Sequence, residues 1–357
     1  MGLFILDAIN LRALELTVNN RGDVAAIGIG SAGIKIVSLL SRKKVFVDRF
    51  AYVSCDDGDF STVEPKDTIH IESPVDQKLT PAIVRGLALK SHSRIRNTMS
   101  GSSVVFVVAG LGGATGSGLA PVVAAIARES GATVVGVAVM PFDFERRTKF
   151  YAGVSLRRLR AVARGVVVID NETLFRSSPE DTTLADIYDT ANKAAVKALG
   201  SLLSRAAEGS RPVGLNKLLG TVLRDGYSLL GVSSSGSEDK AEDALAGAVV
   251  SLGKLGDPKE ATSALVSMNG DLTLTAPEVG LVVDRTSSAT GNPGLDVEYG
   301  VDYSGTAQLQ VSLLASGFSS TKYDDYDPIA KVLGDRVLDD EMDCALPEGL
   351  DALQCCD

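Results

Sequence analysis

Histidine and cysteine are scarce in this 357-residue chain: His70 and His92, with Cys55, Cys344, Cys355 and Cys356. Two histidines leave little room for a histidine-based metal centre or catalytic relay. No two cysteines form a CxxC pair, so reduced thiols are expected rather than a zinc site or disulfide frame. No uninterrupted apolar run reaches the ~18 residues of a membrane-spanning helix. Asp7, Arg12 and Glu15 interrupt the N-terminal apolar positions. No transmembrane segment, no signal peptide and a cytoplasmic location are therefore expected. The pattern GxxxxGK[ST] is missing, which excludes an ordinary P-loop enzyme. A broad basic stripe is missing too: the net charge is −10, and from Ser319 onward eleven acids face three bases. The preceding body is thus close to neutral, and nucleic acid is not an expected partner.

What the chain does have is glycine in two places where an apolar run gives way to a helical pattern. Residues 104–109 form an apolar run, and Gly110, Gly112, Gly113, Ala114, Thr115, Gly116, Ser117 and Gly118 follow it, ahead of a helix expected from about Leu119. Such a loop brings backbone N–H groups close to an anion without interference from Cβ, and the helix N-terminus adds unpaired donors and partial positive charge. It reads as a phosphate cradle, the alternative being a plain strand-to-helix turn. The second place is Gly28, Gly30, Ser31, Ala32 and Gly33, between a strand over 23–27 and a helix through Leu40. Its glycine spacing is that of the dinucleotide fingerprint G-x-G-x-x-G, which keeps an NAD-dependent Rossmann oxidoreductase open.

A strand at 50–53 and buried β-branched runs at 133–139 and 165–169 alternate with helical patterns, the arrangement of a parallel sheet covered on both faces; the expected class is α/β. In such sheets ligands gather beyond the strand C-termini. Asp56 there can hold a hydrated magnesium or a ribose, Glu145 can accept from sugar hydroxyls, and Lys149 follows one helical turn later. Asn171 can read a purine edge. The longest helical pattern, 183–208, carries Tyr188 and Asn192 as an i, i+4 pair suited to stacking on a base and bonding its edge, although a tyrosine on such a stripe also serves as core. Helices are expected over 82–99, 216–228 and 237–252, and strands at 264–268, 272–274, 279–283 and 309–314. The resulting division is an N-terminal helix over 1–22, a sheet domain over 23–182, a central helix over 183–208, an α+β domain over 209–318 and an acidic, partly disordered tail over 319–357.

The order of these loops resembles the FtsZ and tubulin superfamily over most of 23–318. The signature GGGTGSG stands as Gly112-Gly113-Ala114-Thr115-Gly116-Ser117-Gly118, with one added methyl, and the Pro-Phe-x-Phe-Glu stretch of 141–145 and Ile169-Asp170-Asn171 follow in the family's order. Residues 235–242 resemble the segment SGEDRAEEA. The resemblance implies a Rossmann-like GTP-binding domain, a long central helix and a smaller C-terminal α+β domain. It implies GTP/GDP as ligand, with Mg2+ accompanying GTP and no direct protein metal site. Gly28–Gly33, Gly110 and Gly112–Gly118 would hold phosphates, Glu145 the ribose, and Asn171, Tyr188 and Asn192 the guanine. Lys149 stands where the family has Arg, which keeps charge but loses the guanidinium fork.

The family's inter-subunit loop N-x-D-F-A-D supplies acids that help position the attacking water. Here Asn216 is kept, but Leu218 and Thr221 occupy the acid positions, with Asp225 one turn further on. No catalytic residue is assigned. The resemblance then implies a divergent, archaeal-type FtsZ-like or CetZ-like cytoskeletal protein in cell division or cell-shape control, with weak or absent hydrolysis. Its partners would be copies of itself stacked head to tail, or a paralogue, with an adaptor at the acidic tail. A non-polymerising GTP-gated scaffold is the alternative.

Overall fold

The computed structural model describes residues 23–73, 78–174, 183–205, 210–303 and 307–327. The expected N-terminal helix and most of the acidic tail lie outside the described residues. The first half runs β1 (Asp23–Ile29), α1 (Gly30–Leu40), β2 (Arg49–Ser54), β3 (Thr68–His70), α2 (Pro81–Lys90), α3 (His92–Met99), β4 (Ser102–Gly110), α4 (Ala114–Glu129), β5 (Thr133–Met140), α5 (Lys149–Val162), β6 (Gly165–Asp170) and the one-turn helix α6 (Asn171–Leu174). The long helix α7 (Leu184–Leu202) leads to α8 (Leu215–Val222), β7 (Tyr227–Ser235), α9 (Lys240–Gly253), β8 (Ser263–Asn269), α10 (Ala276–Thr290), β9 (Asp296–Asp302) and β10 (Leu309–Phe318). A 3-10 turn, Lys322–Tyr326, closes the described chain.

All ten strands join one sheet in the order β3-β2-β1-β4-β5-β6-β7-β10-β8-β9. The first seven are parallel to their neighbours, and β10 is antiparallel to both β7 and β8. Only two residue pairs, Val167 with Ser228 and Val168 with Leu229, join β6 to β7. Alternation along β4 explains why both faces are covered. Val105, Val107 and Ala109 pack into one apolar cluster with α2 to α5, while Val104, Phe106 and Val108 pack into another with α1 and α7. Leu199 and Leu202 of α7 share the second cluster with Val135, Leu230, Leu265 and Leu314, so this helix backs both halves of the sheet. Among the described residues no helix is long and apolar enough to cross a membrane.

Several boundaries differ from the sequence pattern, each for a local reason. The expected helix over 216–228 stops at Val222, and Tyr227 and Ser228 begin β7. Gly226 makes the turn at φ +100°, where a Cβ would lie 2.4 Å from the Phe318 carbonyl oxygen. The expected strand at 279–283 is part of α10, because Thr275 and Glu278 close a capping box around Pro277 and start a helix that the β-branched run then follows. Leu272–Leu274 is not a strand, and Leu272 is 87% exposed. The expected helix over 82–99 breaks at Ser91 into α2 and α3. The central helix ends at Leu202, with Leu203–Arg205 outside it and 206–209 outside the described residues. Residues 319–327, expected to open a disordered tail, pack on the body with Thr321, Tyr323 and Asp327 buried.

Candidate functional site

The sheet order reverses between β1 and β4, which both pair with each other and lead outward in opposite directions. A doubly wound sheet leaves a crevice at the C-terminal ends of such strands. Both glycine stretches lie there. Neither forms a free loop of the expected length: α1 begins at Gly30 directly after β1, and α4 begins at Ala114 rather than near Leu119. The second half of the signature is therefore the first turn of a helix.

Close approach explains most of the glycines. A Cβ would lie 2.6 Å from the Gly33 oxygen at Gly28, 2.2 Å from the Val108 oxygen at Gly33, 2.9 Å from the Ala32 Cβ at Gly110, 2.0 Å from the Gly110 oxygen at Gly116 and 2.7 Å from the Val84 Cβ at Gly118. Gly28, Gly33 and Gly116 bring helix and strand backbones together, Gly110 makes room for the Ala32 side chain, and Gly118 lets α4 pack against α2. Gly113 differs: it is exposed, and a Cβ there would meet nothing within 4 Å. Gly30, at φ +64°, sets the start of α1 against Thr115 and the Gly116 nitrogen. Ser31 is exposed, and Ala32, Ala114 and Thr115 are half-buried.

Neither α1 nor α4 has a side-chain cap or an acid in its first turn. By contrast α2, α7 and α10 are capped by Thr80, Thr183 and Thr275. Two helix N-termini thus point bare donors and positive partial charge at one crevice, lined by the Cβ-free Gly113; this arrangement suits phosphate. Ser117 is fully buried and faces inward. Its hydroxyl accepts from the Gly112 N–H at 2.9 Å, which fastens the turn. Pro121 has no N–H for the Ser117 carbonyl four residues back, and the Ser155 hydroxyl on α5 donates to it instead at 2.9 Å.

The expected sugar and base residues gather at the ends of β5, β6 and α7. Glu145 accepts from the Phe142 N–H at 2.8 Å. Burial, and then the Glu145 carboxylate that its hydroxyl meets, hold the Tyr188 phenol well above the usual tyrosine range. The Phe142 ring lies 5.5 Å from Tyr188 edge-on and 5.2 Å from exposed Phe144, stacked. Asn192 is buried one turn further along α7. Asn171 is 8% exposed and its amide oxygen has no hydrogen-bond partner, an orphaned buried acceptor. Such a group awaits a donor from a ligand, and a guanine edge offers the donors it lacks, so the residues present fit the nucleotide.

Other expected residues are committed elsewhere. One Asp56 carboxylate oxygen accepts from the Gly58 N–H at 2.8 Å and caps a 3-10 turn. Lys149 bonds Asp143 at 2.8 Å and stands 4.8 Å from the Tyr326 ring centroid. Sequence reasoning missed Cys55, which is buried after β2 near Thr115; burial pushes its thiol up and Thr115 pulls it partly back. Its place after β2 was the available signal. Among the described residues no group of three metal-ligating side chains could hold a metal ion.

At the opposite end of the sheet, Leu218 is 3% and Thr221 1% exposed, both inside the core. The Thr221 hydroxyl donates to the Lys217 carbonyl at 3.1 Å. Asp225 is fully exposed and lies 3.9 Å from Arg164.

Residues 23–179 match the Tubulin/FtsZ family, GTPase domain. The cell division protein FtsZ of Buchnera aphidicola subsp. Schizaphis graminum is 28% identical over 318 residues, covering 86% of this chain and 82% of its own. An FtsZ dimer structure from M. jannaschii is similar at TM-score 0.72 and 25% identity, covering 86% of this chain and 92% of that one. A GTPgS-bound protofilament of CetZ2 from Haloferax volcanii is similar at TM-score 0.68 and 25% identity, covering 87% and 98%. With strand order, glycine turns and these likenesses in agreement, the chain is a member of the FtsZ/tubulin superfamily.

Proposed function

We propose that this cytoskeletal-type protein binds guanine nucleotide at the ends of β1 and β4, stacks head to tail into filaments, and hydrolyses GTP slowly or not at all. The observation that carries the binding half is the crevice itself: two uncapped helix N-termini, open Gly113, and the orphaned Asn171 oxygen on a turn that Glu172 ties to the loop bearing Glu145. Backbone N–H groups of Gly30–Gly33 and Gly112–Gly116 would hold phosphates, with Mg2+ carried on the triphosphate. Tyr188 would stack on the base, Asn171 and Asn192 would read its edge, and Glu145 would orient the ribose. This reading sides with the superfamily against the dehydrogenase.

The slow-turnover half rests on the opposite end. A subunit seated on a neighbour's nucleotide face would present Leu218 and Thr221 where relatives present acids, and both are turned into the core. Water positioning is then left without its carboxylates, a loss worth orders of magnitude in phosphoryl transfer. Residues 23–182 would bind nucleotide and 209–318 would supply the contact with the next subunit, on either side of the central helix. In the cell such a polymer would act in division or shape control. Sedimentation and phosphate release with GTP and magnesium test this. Filaments with little phosphate release are expected, and added paralogue that raises turnover would identify a mixed polymer. Rapid release by the chain alone would overturn the hydrolysis half. A monomer at high concentration with GTP would favour the GTP-gated scaffold.

A further inference from the structure

The segment after β10 does more than leave the body. Residues 319–327 cross to α5, where the Arg157 guanidinium donates to buried Asp327 at 2.6 Å. Gly153 of α5 leaves no room between them, since a Cβ there would lie 2.8 Å from the Tyr326 backbone. This seat delivers Lys322 to the end of β6. Its ammonium lies 2.7 Å from Asp170, whose side chain is 1% exposed.

Asp170 immediately precedes Asn171, the residue with the orphaned amide oxygen. One Asp170 carboxylate oxygen takes Lys322, and the other accepts from the Glu172 N–H at 3.2 Å; the Asp170 carbonyl accepts from the Thr173 hydroxyl at 2.9 Å. The turn that carries Asn171 is therefore built on this carboxylate. Glu172 in turn accepts from the Asp143 N–H at 2.8 Å, which ties the same turn to the loop bearing Glu145. Asp170 and Tyr323 are each 1% exposed, so this carboxylate is shut away from solvent, and burial followed by its charge hold the Tyr323 phenol well above its usual range. A buried carboxylate stripped of its counter-ion must be hydrated or neutralised, and either event moves the backbone that holds it.

We infer that Lys322 is a positioning residue for base recognition: through the Asp170 carboxylate it holds the Asn171 amide in the orientation that reads guanine. The inference rests on the proposed guanine-nucleotide site. It also makes residues after β10, 152 positions from Asp170, part of that site's support. Phosphate-binding groups on α1 and α4 do not touch Lys322, so selectivity should fall while phosphate-driven binding persists.

The test measures GTP and ATP affinity in the full chain, for wild type, Lys322→Ala, Lys322→Met and Lys322→Arg, beside their unfolding midpoints. The methionine variant keeps the packed stem and serves if the alanine variant does not fold. A preference for GTP in wild type that drops about tenfold in the neutral variants, with restoration by Arg and ATP affinity unchanged, is the expected result. Equal loss for both nucleotides in step with the unfolding midpoint, or no change in selectivity, overturns the positioning role. Wild type without a preference for GTP overturns the guanine reading itself, and is distinguished from the former by arising before any substitution.

Discussion

At the C-terminal edge of β1 and β4 the chain keeps two helix N-termini bare and leaves a buried amide oxygen unpaired, whereas at the other end α8 turns the corresponding acid positions, Leu218 and Thr221, into core. The first end leaves polar groups unpaired in the free protein; at the second, the two positions serve packing. On the proposed reading, ligand binding and ligand turnover would depend on different ends of the same subunit, and one could be lost while the other stays. A stacked assembly would bring the two ends together, so the defect of one subunit would be felt at the pocket of the next.

The contrast breaks hardest at α8. Leu218→Asp places a carboxylate among Leu199, Val222 and Leu314 without a counter-ion, and should lower stability by about 3–5 kcal/mol in chemical denaturation. Restoring the acids of relatives would then unfold this chain rather than awaken it. A stable Leu218→Asp, Thr221→Asp protein with rapid phosphate release would show that α8 rotates to present these positions.

Within the nucleotide end, Gly116 and Gly113 separate packing from binding. Gly116→Ala forces a methyl to 2.0 Å from the Gly110 oxygen and should cost about 3 kcal/mol of stability. Gly113→Ala, at an ordinary φ of −78°, should leave the unfolding midpoint within about 0.5 kcal/mol while weakening nucleotide binding, because its methyl enters the crevice. Equal effects on stability at both positions would erase the distinction.

Asn171→Leu removes an amide oxygen that has no partner to lose. Guanine preference should fall by about 1–3 kcal/mol in competition binding, with a smaller change in stability. The smallest effect concerns Asp143. The Lys149 ammonium bonded to it holds its carboxyl below the usual aspartate range, outweighing partial burial. A carboxyl depressed by folding stabilises the fold above its unfolded value, and that contribution fades as the pH falls below about 4. The group is largely exposed, so the shift should be visible by NMR titration and barely visible in stability; Lys149→Ala should return the pKa to the ordinary range.

The glycine turns and the parallel strands were legible because their determinants are local: an unbroken β-branched run, then residues without Cβ. Their internal division of labour was not. Gly113 and Gly116 look alike in the chain, and only the neighbouring Gly110 carbonyl tells them apart. Val279 to Val283 mimics a strand until the Thr275 cap is seen to start a helix. Asp296–Asp302 gave no strong signal, since its side chains alternate weakly and it forms an edge strand paired with β8 and bridged to Arg211 through Val301. Of the proposed site, Tyr188, Glu145 and Asn171 could be nominated from type and position, while the inward turn of Ser117 and the reach of Lys322 could not.

Local composition by itself determined the α/β class, the two glycine turns between strand and helix and the presence of Leu218 and Thr221 rather than acids after Asn216, because each depends on residues within a few positions of one another. Only the tertiary structure decided that Leu218 and Thr221 are core rather than surface, that the Asn171 oxygen is unpaired, and that the segment after β10 returns to brace Asp170. Those facts depend on which distant side chains the folded sheet and its helices bring together, and burial, pairing and counter-ions are properties of that packing.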